Sequence, residues 1–378
     1  MQRLLAVVVL GGLMGCGVGA VDGLDGTGEA SEDVASSCSD YASPDQSGSC
    51  HCPSGGPCTA NGCDSGKWCH LTTNRCVNAP SGCSAGGSSG STGSTGSSGG
   101  TSGGGSAGSV GPSGGTVSLL HFGLTGDTRP PSCNDTSGYP SAIINGIADQ
   151  FKAQKAQFAL DLGDHMFVCD YTLATAQAQM QLYQAAQARY PGTWYMTMGN
   201  HECSHSPCLK GSQNANYVAF MDALAPIASL PYYSFDVKTE KGLATFVIVA
   251  DNAWDSTQAS WLESTLSTAD TKATYTIVAR HHPQDDTSVP TNADSLQIIR
   301  KHKLSLLLTG HSHQYEHQSA DGARDLVLGT GGAPLVASGS GAFNGYALVD
   351  QLSSGELQVS VYDVGGTLHD RWSVSPNP

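Results

Sequence analysis

The chain has 378 residues, with 17 Lys and Arg against 32 Asp and Glu, a formal net charge of −15. That balance argues against nucleic-acid phosphate as a partner. Beyond the first twenty residues no run approaches the roughly 20 consecutive apolar positions that a bilayer-spanning helix needs.

Residues 1–20 carry one cation, Arg3, then an apolar run over 4–10 and a stretch of small residues. This is the layout of a secretory signal, so the chain is expected to be exported. Leu13, Met14, Gly15 and Cys16 resemble a bacterial lipobox, in which the Cys is diacylated and tethers the protein to a membrane surface. Val18, Gly19 and Ala20 offer an ordinary signal-peptidase site instead, which would release a secreted or periplasmic protein. With Cys16 set aside, eight Cys (38, 50, 52, 58, 63, 69, 76 and 83) fall between residues 38 and 83, and four more are Cys133, Cys169, Cys203 and Cys208. Both groups are even, as expected where thiols pair in an oxidising compartment.

Residues 38–83 contain too few aliphatic side chains to offset chain entropy, so disulfides must hold this knob together. Cys50, His51 and Cys52 allow a zinc reading, but zinc needs reduced thiolates. A spacer or a module binding a cell-surface ligand are the other readings. Residues 84–115 hold 25 Gly or Ser among 32 positions and no charge, the composition of a flexible tether.

Residues 116–378 form the body, with eleven of the thirteen His. Apolar runs at 117–122, 158–162, 194–198, 243–250, 274–279 and 304–308 predict buried strands. Helical patterns lie between them at 141–156, 173–189, 257–269 and 293–301. The alternation predicts an α/β body with largely parallel pairing. Strand-like runs at 325–328, 345–352, 357–364 and 371–374 follow without intervening helices and predict a second, more antiparallel sheet.

Each early strand ends in a polar cluster. Gly126, Asp127, Thr128 and Arg129 follow the first, Gly163, Asp164 and His165 the second, and Gly199, Asn200, His201 and Glu202 the third. Arg280, His281 and His282 follow a later strand, and Gly310, His311, Ser312 and His313 another. Any one cluster alone reads equally as a turn, a helix cap or a surface His. Loops at the carboxyl ends of parallel strands converge, so five together predict one site. Two Asp, one Asn and three His suit Zn, Mn or Fe rather than a calcium cage.

This constellation resembles the calcineurin-like metallophosphoesterase superfamily over 124–315, and within it purple acid phosphatases. The motifs that carry the resemblance are Gly-Asn-His-Glu at 199–202, Val278 with His281, Gly-His-Ser-His-Gln-Tyr-Glu at 310–316, and Gln258 with Trp261 and Leu262. The resemblance implies a sandwich of two mixed β-sheets flanked by helices, two metal ions, and a small phosphorylated substrate. Asp164 would bridge the ions. Asp127 and His313 would hold the first, and Asn200, His281 and His311 the second. His201 would act over the phosphate as general acid or donor to the leaving oxygen.

Three departures from the family pattern stand out. Arg129 replaces a His common in the superfamily and cannot coordinate, leaving a phosphate clamp or an outward side chain as its readings. Phe167 replaces the Tyr that colours purple acid phosphatases, so a purple centre is not expected, and His165 or solvent is left to fill the vacancy. His317 replaces the Arg usual after the last motif. His282 reads as a surface residue or a support behind a ligand. Positions near the site predict the disulfide pairs Cys133–Cys169 and Cys203–Cys208. The leading functional expectation is an exported, lipid-anchored phosphatase acting on phosphate monoesters. The alternatives are a phosphodiesterase on nucleotides or phospholipid head groups, and a surface binding module whose metal domain turns over weakly.

Overall fold

The computed structural model describes residues 109–203, 214–286, 290–318, 324–336 and 339–378, together with three short strands nearer the N-terminus. Those strands, β1 (Tyr41–Ala42), β2 (Trp68–His70) and β3 (Arg75–Val77), form an antiparallel sheet with Cys69 opposite Cys76. They belong to a unit of residues 1–101, and the rest of the chain forms a second unit, residues 102–378. The signal segment, Cys16, the knob disulfides, the Cys50–His51–Cys52 cluster and the tether over 84–108 lie outside the described residues.

Two mixed sheets build the larger unit. In the six-stranded sheet β6 (His121–Thr125), β7 (Phe158–Asp161) and β8 (Thr193–Met196) run parallel. On the other side of β6 lie β15 (Gly345–Gln351), β16 (Leu357–Asp363) and β17 (Leu368–Val374), all antiparallel. The eight-stranded sheet is centred on parallel β10 (Gly242–Ile248), β11 (Tyr275–Ala279), β12 (Leu306–Thr309) and β14 (Asp325–Leu328). Outside β14 lies β13 (Tyr315–Gln318), and outside β10 lie β9 (Tyr233–Thr239), β5 (Gly114–Thr116) and β4 (Val110–Gly111) in that order.

The tail strands therefore do not make the separate antiparallel sheet expected of them. β14 joins the eight-stranded sheet, while β15 pairs with β6 so that Ala347 faces Leu124. β15 takes the edge of β6 that β7 leaves open, and β16 and β17 follow it through short connections that give antiparallel neighbours.

Aromatic rings fill the space between the sheets. Phe122, Phe158 and Tyr195 come from β6, β7 and β8, and Phe235 and Phe246 from β9 and β10. Phe158 meets Phe122 at 4.9 Å and Phe246 at 5.3 Å, and Tyr195 stacks on Phe235 at 3.7 Å. Alternate residues on the same strands face outward, which is why the strands read as continuous apolar runs. Val247 and Val278 pack with Leu262 and Leu266 of α4 (Ser256–Lys272) and Leu296 of α5 (Pro290–Ile299). Ala159 of β7 packs with Ile147 and Phe151 of α1 (Ser141–Gln154). Met180 and Tyr183 of α2 (Leu173–Gln187) and Phe220 of α3 (Ala215–Leu224) cover the same face beyond β8.

The body begins earlier than composition placed it, because residues 110–116 are edge strands rather than tether. Their glycines serve close backbone approach. A Cβ at Gly114, whose φ is +89°, would meet the Asp236 carbonyl oxygen at 2.0 Å, and one at Gly115 would meet the Ser109 carbonyl oxygen at 2.1 Å. β9 escaped notice for a different reason, since its Ser234, Asp236 and Lys238 alternate outward and break any apolar run. Among the described residues no helix is long and apolar enough to cross a membrane.

Candidate metal centre

All five polar clusters lie at the carboxyl ends of β6, β7, β8, β11 and β12. Four of the residues marked as ligands by sequence, Asp127, Asp164, His311 and His313, adopt left-handed backbone with φ of 59°, 60°, 70° and 50°. Non-glycine residues rarely hold that conformation unless their surroundings over-determine it. Here the Asp127 N–H donates to the Gly163 carbonyl at 2.9 Å, the Asp164 N–H to Glu202 Oε2 at 3.0 Å, and the His311 N–H to Asp127 Oδ2 at 2.8 Å. Each loop thus ties down its neighbour. The turns need glycine: a Cβ at Gly199 would lie 2.3 Å from Asp164 Oδ1, and one at Gly163, itself at φ +101°, would lie 2.8 Å from His281 Nδ1.

Four lone pairs converge on one point. Asn200 Oδ1 lies 3.0 Å from both His281 Nε2 and His311 Nδ1, these nitrogens are 3.3 Å apart, and Asp164 Oδ1 is 3.3 Å from His281 Nε2. A carbonyl only accepts, so His281 Nδ1, 2.8 Å from the Leu162 carbonyl, carries the ring hydrogen of the neutral imidazole. His311 Nε2 faces the Asp286 carboxylate at 3.4 Å, which likewise turns its Nδ1 lone pair inward. Acceptors facing acceptors repel unless a cation or proton lies between them. Burial opposes charge on His281, yet Asp164 beside it raises its pKa to about 10, so a proton can take the cation's place there. Burial also acts against the Asp164 charge, but His281 and His201 hold that carboxyl well below its usual value. This set fits a divalent ion.

A second group, Asp127, Asp164 and His313, has its donor atoms within 4.8 Å of one another. His313 Nδ1 faces the Pro334 carbonyl at 2.8 Å, so its Nε2 lone pair points toward Asp127 Oδ1, 3.4 Å away. Asp127 Oδ1 is buried and makes no hydrogen bond. Arg129 enters this group: its Nη2 lies 3.3 Å from His313 Nε2 and its Nε 3.6 Å from Asp164 Oδ2. Phe167 lies beneath, with the guanidinium carbon 4.7 Å from the ring centre. Arg129 is thus neither an outward side chain nor a ligand.

His201 stands beside both groups. Its N–H donates to Asp164 Oδ1 at 3.0 Å, its Nε2 lies 3.7 Å from Asp164 Oδ2, and its ring meets Phe167 edge-on at 4.6 Å. Burial, joined by the charge of Arg129, lowers its pKa against the pull of Asp164. Sequence reasoning therefore named residues that the fold brings together: Asp127, Arg129, Asp164, Asn200, His201, His281, His311 and His313.

A family model described as "Calcineurin-like phosphoesterase" matches residues 120–315, just over half of the chain. The chain belongs to the calcineurin-like phosphoesterase family. It is 26% identical over 222 residues to purple acid phosphatase 4 of Arabidopsis thaliana, a match covering 48% of this chain and 62% of that protein. The chain thus spans less than two thirds of that relative's length. Its fold resembles that of GAP50, the anchor in the inner membrane complex of Plasmodium, with TM-score 0.54, 16% identity and coverage of 69% of this chain and 90% of that one. It also resembles purple acid phosphatase PPD1 from yellow lupin seeds, with TM-score 0.51, 16% identity and coverage of 69% and 56%. At these identities the likeness is one of fold.

Several residues stand elsewhere than the sequence suggested. His165 does not fill a ligand vacancy. It is fully buried behind the site, with Nε2 3.2 Å from Asp161 Oδ1 and Nδ1 3.4 Å from Glu202 Oε1. Burial opposes its charge, but the two carboxylates push its pKa up to about 10. His317 leaves the site and stacks on Trp372 at 3.9 Å. His282 takes the supporting of its two readings: it is buried, with Nδ1 2.5 Å from Asp286 Oδ2 and Nε2 2.9 Å from Asn252 Oδ1, and burial lowers its pKa to about 3. Asp286 and Asn252 were missed altogether. They carry no motif, and only the fold brings Asp286 to His311 and Asn252 to His282.

The loops are fastened further out. Cys133 and Cys169 are joined as expected, their Cα atoms 5.8 Å apart, linking the loops after β6 and β7. Cys203 is disulfide-bonded, and Cys208, the partner expected for it, lies outside the described residues. Gln258 is structural: it binds both backbone groups of Ala250 and the Ala253 carbonyl, anchoring the loop that holds Asn252.

Proposed function

We propose that this chain is an exported, metal-dependent phosphoester hydrolase that releases phosphate from small phosphate monoesters. The observation that carries the reading is the convergence of Asp164, Asn200, His281 and His311 on one point, with His201 alongside. The ligand set suits Zn, Mn or Fe. When bound, such an ion lowers the pKa of water and withdraws charge from phosphoryl oxygens.

The protein's own groups supply the rest. Asp164 and Asn200 would hold the ion beside His201, whose ring would donate an N–H toward the leaving oxygen. Burial and Arg129 lower its pKa, and a bound phosphate dianion would favour the protonated form that a general acid needs. Arg129 presents guanidinium donors beside the same point. The net charge of −15 gives substrate no long-range attraction, so anion binding rests on these local cations.

Export is supported by the signal-like first twenty residues, the even Cys groups and the Cys133–Cys169 bond. Diacylation of Cys16 would hold the enzyme at a membrane surface, with the knob over 38–83 free to meet a cell-surface ligand. The test is the initial rate on an aryl phosphate monoester against an aryl phosphate diester, for the parent chain and His201→Ala. Faster monoester turnover that His201→Ala lowers sharply supports the reading. A dominant diester rate replaces it with phosphodiesterase activity, and no turnover on either ester counts against it.

A further inference from the structure

We propose that the guanidinium of Arg129 takes the place of a first metal ion, so that this centre holds one divalent ion and one protein-borne cation. The inference rests on the metal-dependent reading above and narrows it.

The ligand atoms left for a first ion are Asp127 Oδ1, Asp164 Oδ2 and His313 Nε2. The last two are the atoms that Arg129 faces, at 3.6 Å from its Nε and 3.3 Å from its Nη2. Because the Pro334 carbonyl fixes the His313 hydrogen on Nδ1, the Nε2 lone pair is available and the Arg129 N–H donates to it. An ion bonded to His313 Nε2 at about 2.0–2.1 Å would have to displace that donor.

Arginine cannot yield by losing its proton, and it has no lone pair with which to join a coordination shell. Its position is also held from the other sides. Nη1 donates to the Pro130 carbonyl at 3.2 Å, and the guanidinium carbon lies 4.7 Å over the Phe167 ring, a favourable seat for a cation. Phe167 offers no oxygen, so the pocket is short of a ligand where it gains a cation-binding face. The Arg129 side chain is only 12% exposed, which leaves little solvent to shield an adjacent ion from it.

At the other position Asn200 Oδ1, His281 Nε2, His311 Nδ1 and Asp164 Oδ1 face one another at 3.0–3.3 Å. The two positions differ in kind, one furnished for a metal and the other already supplied with positive charge.

The test uses the full chain, stripped of metal and titrated with Mn2+, followed by metal content and electron paramagnetic resonance. The expected result is one Mn2+ per chain with the spectrum of an isolated ion. Arg129→His and, as a second variant without a new ligand, Arg129→Met should each admit a second ion and give a spin-coupled spectrum. Two coupled ions in the parent chain would overturn the inference while leaving metal dependence intact. A single ion in both folded variants would also overturn it, because Arg129 would then not be what excludes the second. A folded chain that binds no Mn2+ would defeat the metal-dependent reading itself.

Discussion

Glu202 Oε2 accepts the Asp164 N–H at 3.0 Å, binding the loop after β8 to the loop after β7. The same carboxylate takes the Gly199 N–H at 2.7 Å and the His165 N–H at 2.7 Å. A single buried side chain therefore sets the backbone of Asp164 and the turn that presents Asn200. Replacing it by Glu202→Ala leaves His165 paired with Asp161 alone and several buried N–H groups without acceptors. A loss of about 3–5 kcal/mol in unfolding free energy is expected, measured by urea denaturation.

On the proposed reading His201 acts on substrate rather than on the fold. Its side chain touches Asp164 and Phe167, but the loop is held by backbone groups, including the His201 carbonyl, which accepts from Asn216 Nδ2 at 3.0 Å. His201→Ala should lower kcat on an aryl phosphate by about 10²–10⁴. Bound metal and denaturation midpoint should stay at parent values.

Asp286 is a positioning residue. It faces His311 Nε2 at 3.4 Å and His282 Nδ1 at 2.5 Å, so it keeps the His311 Nδ1 lone pair turned toward Asn200. Asp286→Ala is expected to weaken metal binding about 10–100-fold. Isothermal titration with Mn2+ reads this directly, and it would show no change if the carboxylate were merely structural.

His121 gives the fold a pH dependence away from the site. Its Nδ1 lies 2.7 Å from Asp350 Oδ1, a bond that raises its pKa above the ordinary value against the effect of burial. A raised folded pKa stabilises fully below the unfolded value of about 6.5. That contribution fades as pH rises through the raised value. His121→Ala should therefore cost about 0.5 kcal/mol more at acid pH than at alkaline pH, a figure reduced for solvent screening of this partly exposed pair. Urea unfolding at the two pH values measures it.

Gly123 tests the packing of α1. A Cβ there would come within 2.5 Å of the Phe151 ring, which also meets Tyr190, Trp194 and Tyr346. The ring has nowhere to retreat, so Gly123→Ala should destabilise by about 1–3 kcal/mol. Thermal denaturation would reveal it.

Much of this was legible in the sequence because the chemistry clusters where strands end. Buried parallel strands show as apolar runs, and the polar residues that break those runs, such as Asp164 and His281, are the ones the fold gathers. What stayed hidden depended on partners far along the chain. Asp236 and Lys238 made β9 look irregular, though its other face is core. The Gly114–Gly115 pair looked like tether, though it sits against Asp236 and Ser109. Arg129 was recognised as unable to ligate, but its seat between His313 and Phe167 requires two loops to meet. His165 shared a motif with Asp164, yet adjacent residues on such a turn point to opposite sides, and it turned inward to Asp161 and Glu202.

The most direct test of metal-dependent hydrolysis at this site is turnover of an aryl phosphate monoester by the chelator-stripped full chain, before and after Mn2+ is returned, alongside Asp164→Asn. Asp164 lends its carboxylate to the ligand set and to the His201 N–H. The account predicts no turnover after stripping, recovery with Mn2+, and no recovery in Asp164→Asn. Undiminished turnover in the stripped chain, or full recovery in Asp164→Asn, would contradict it.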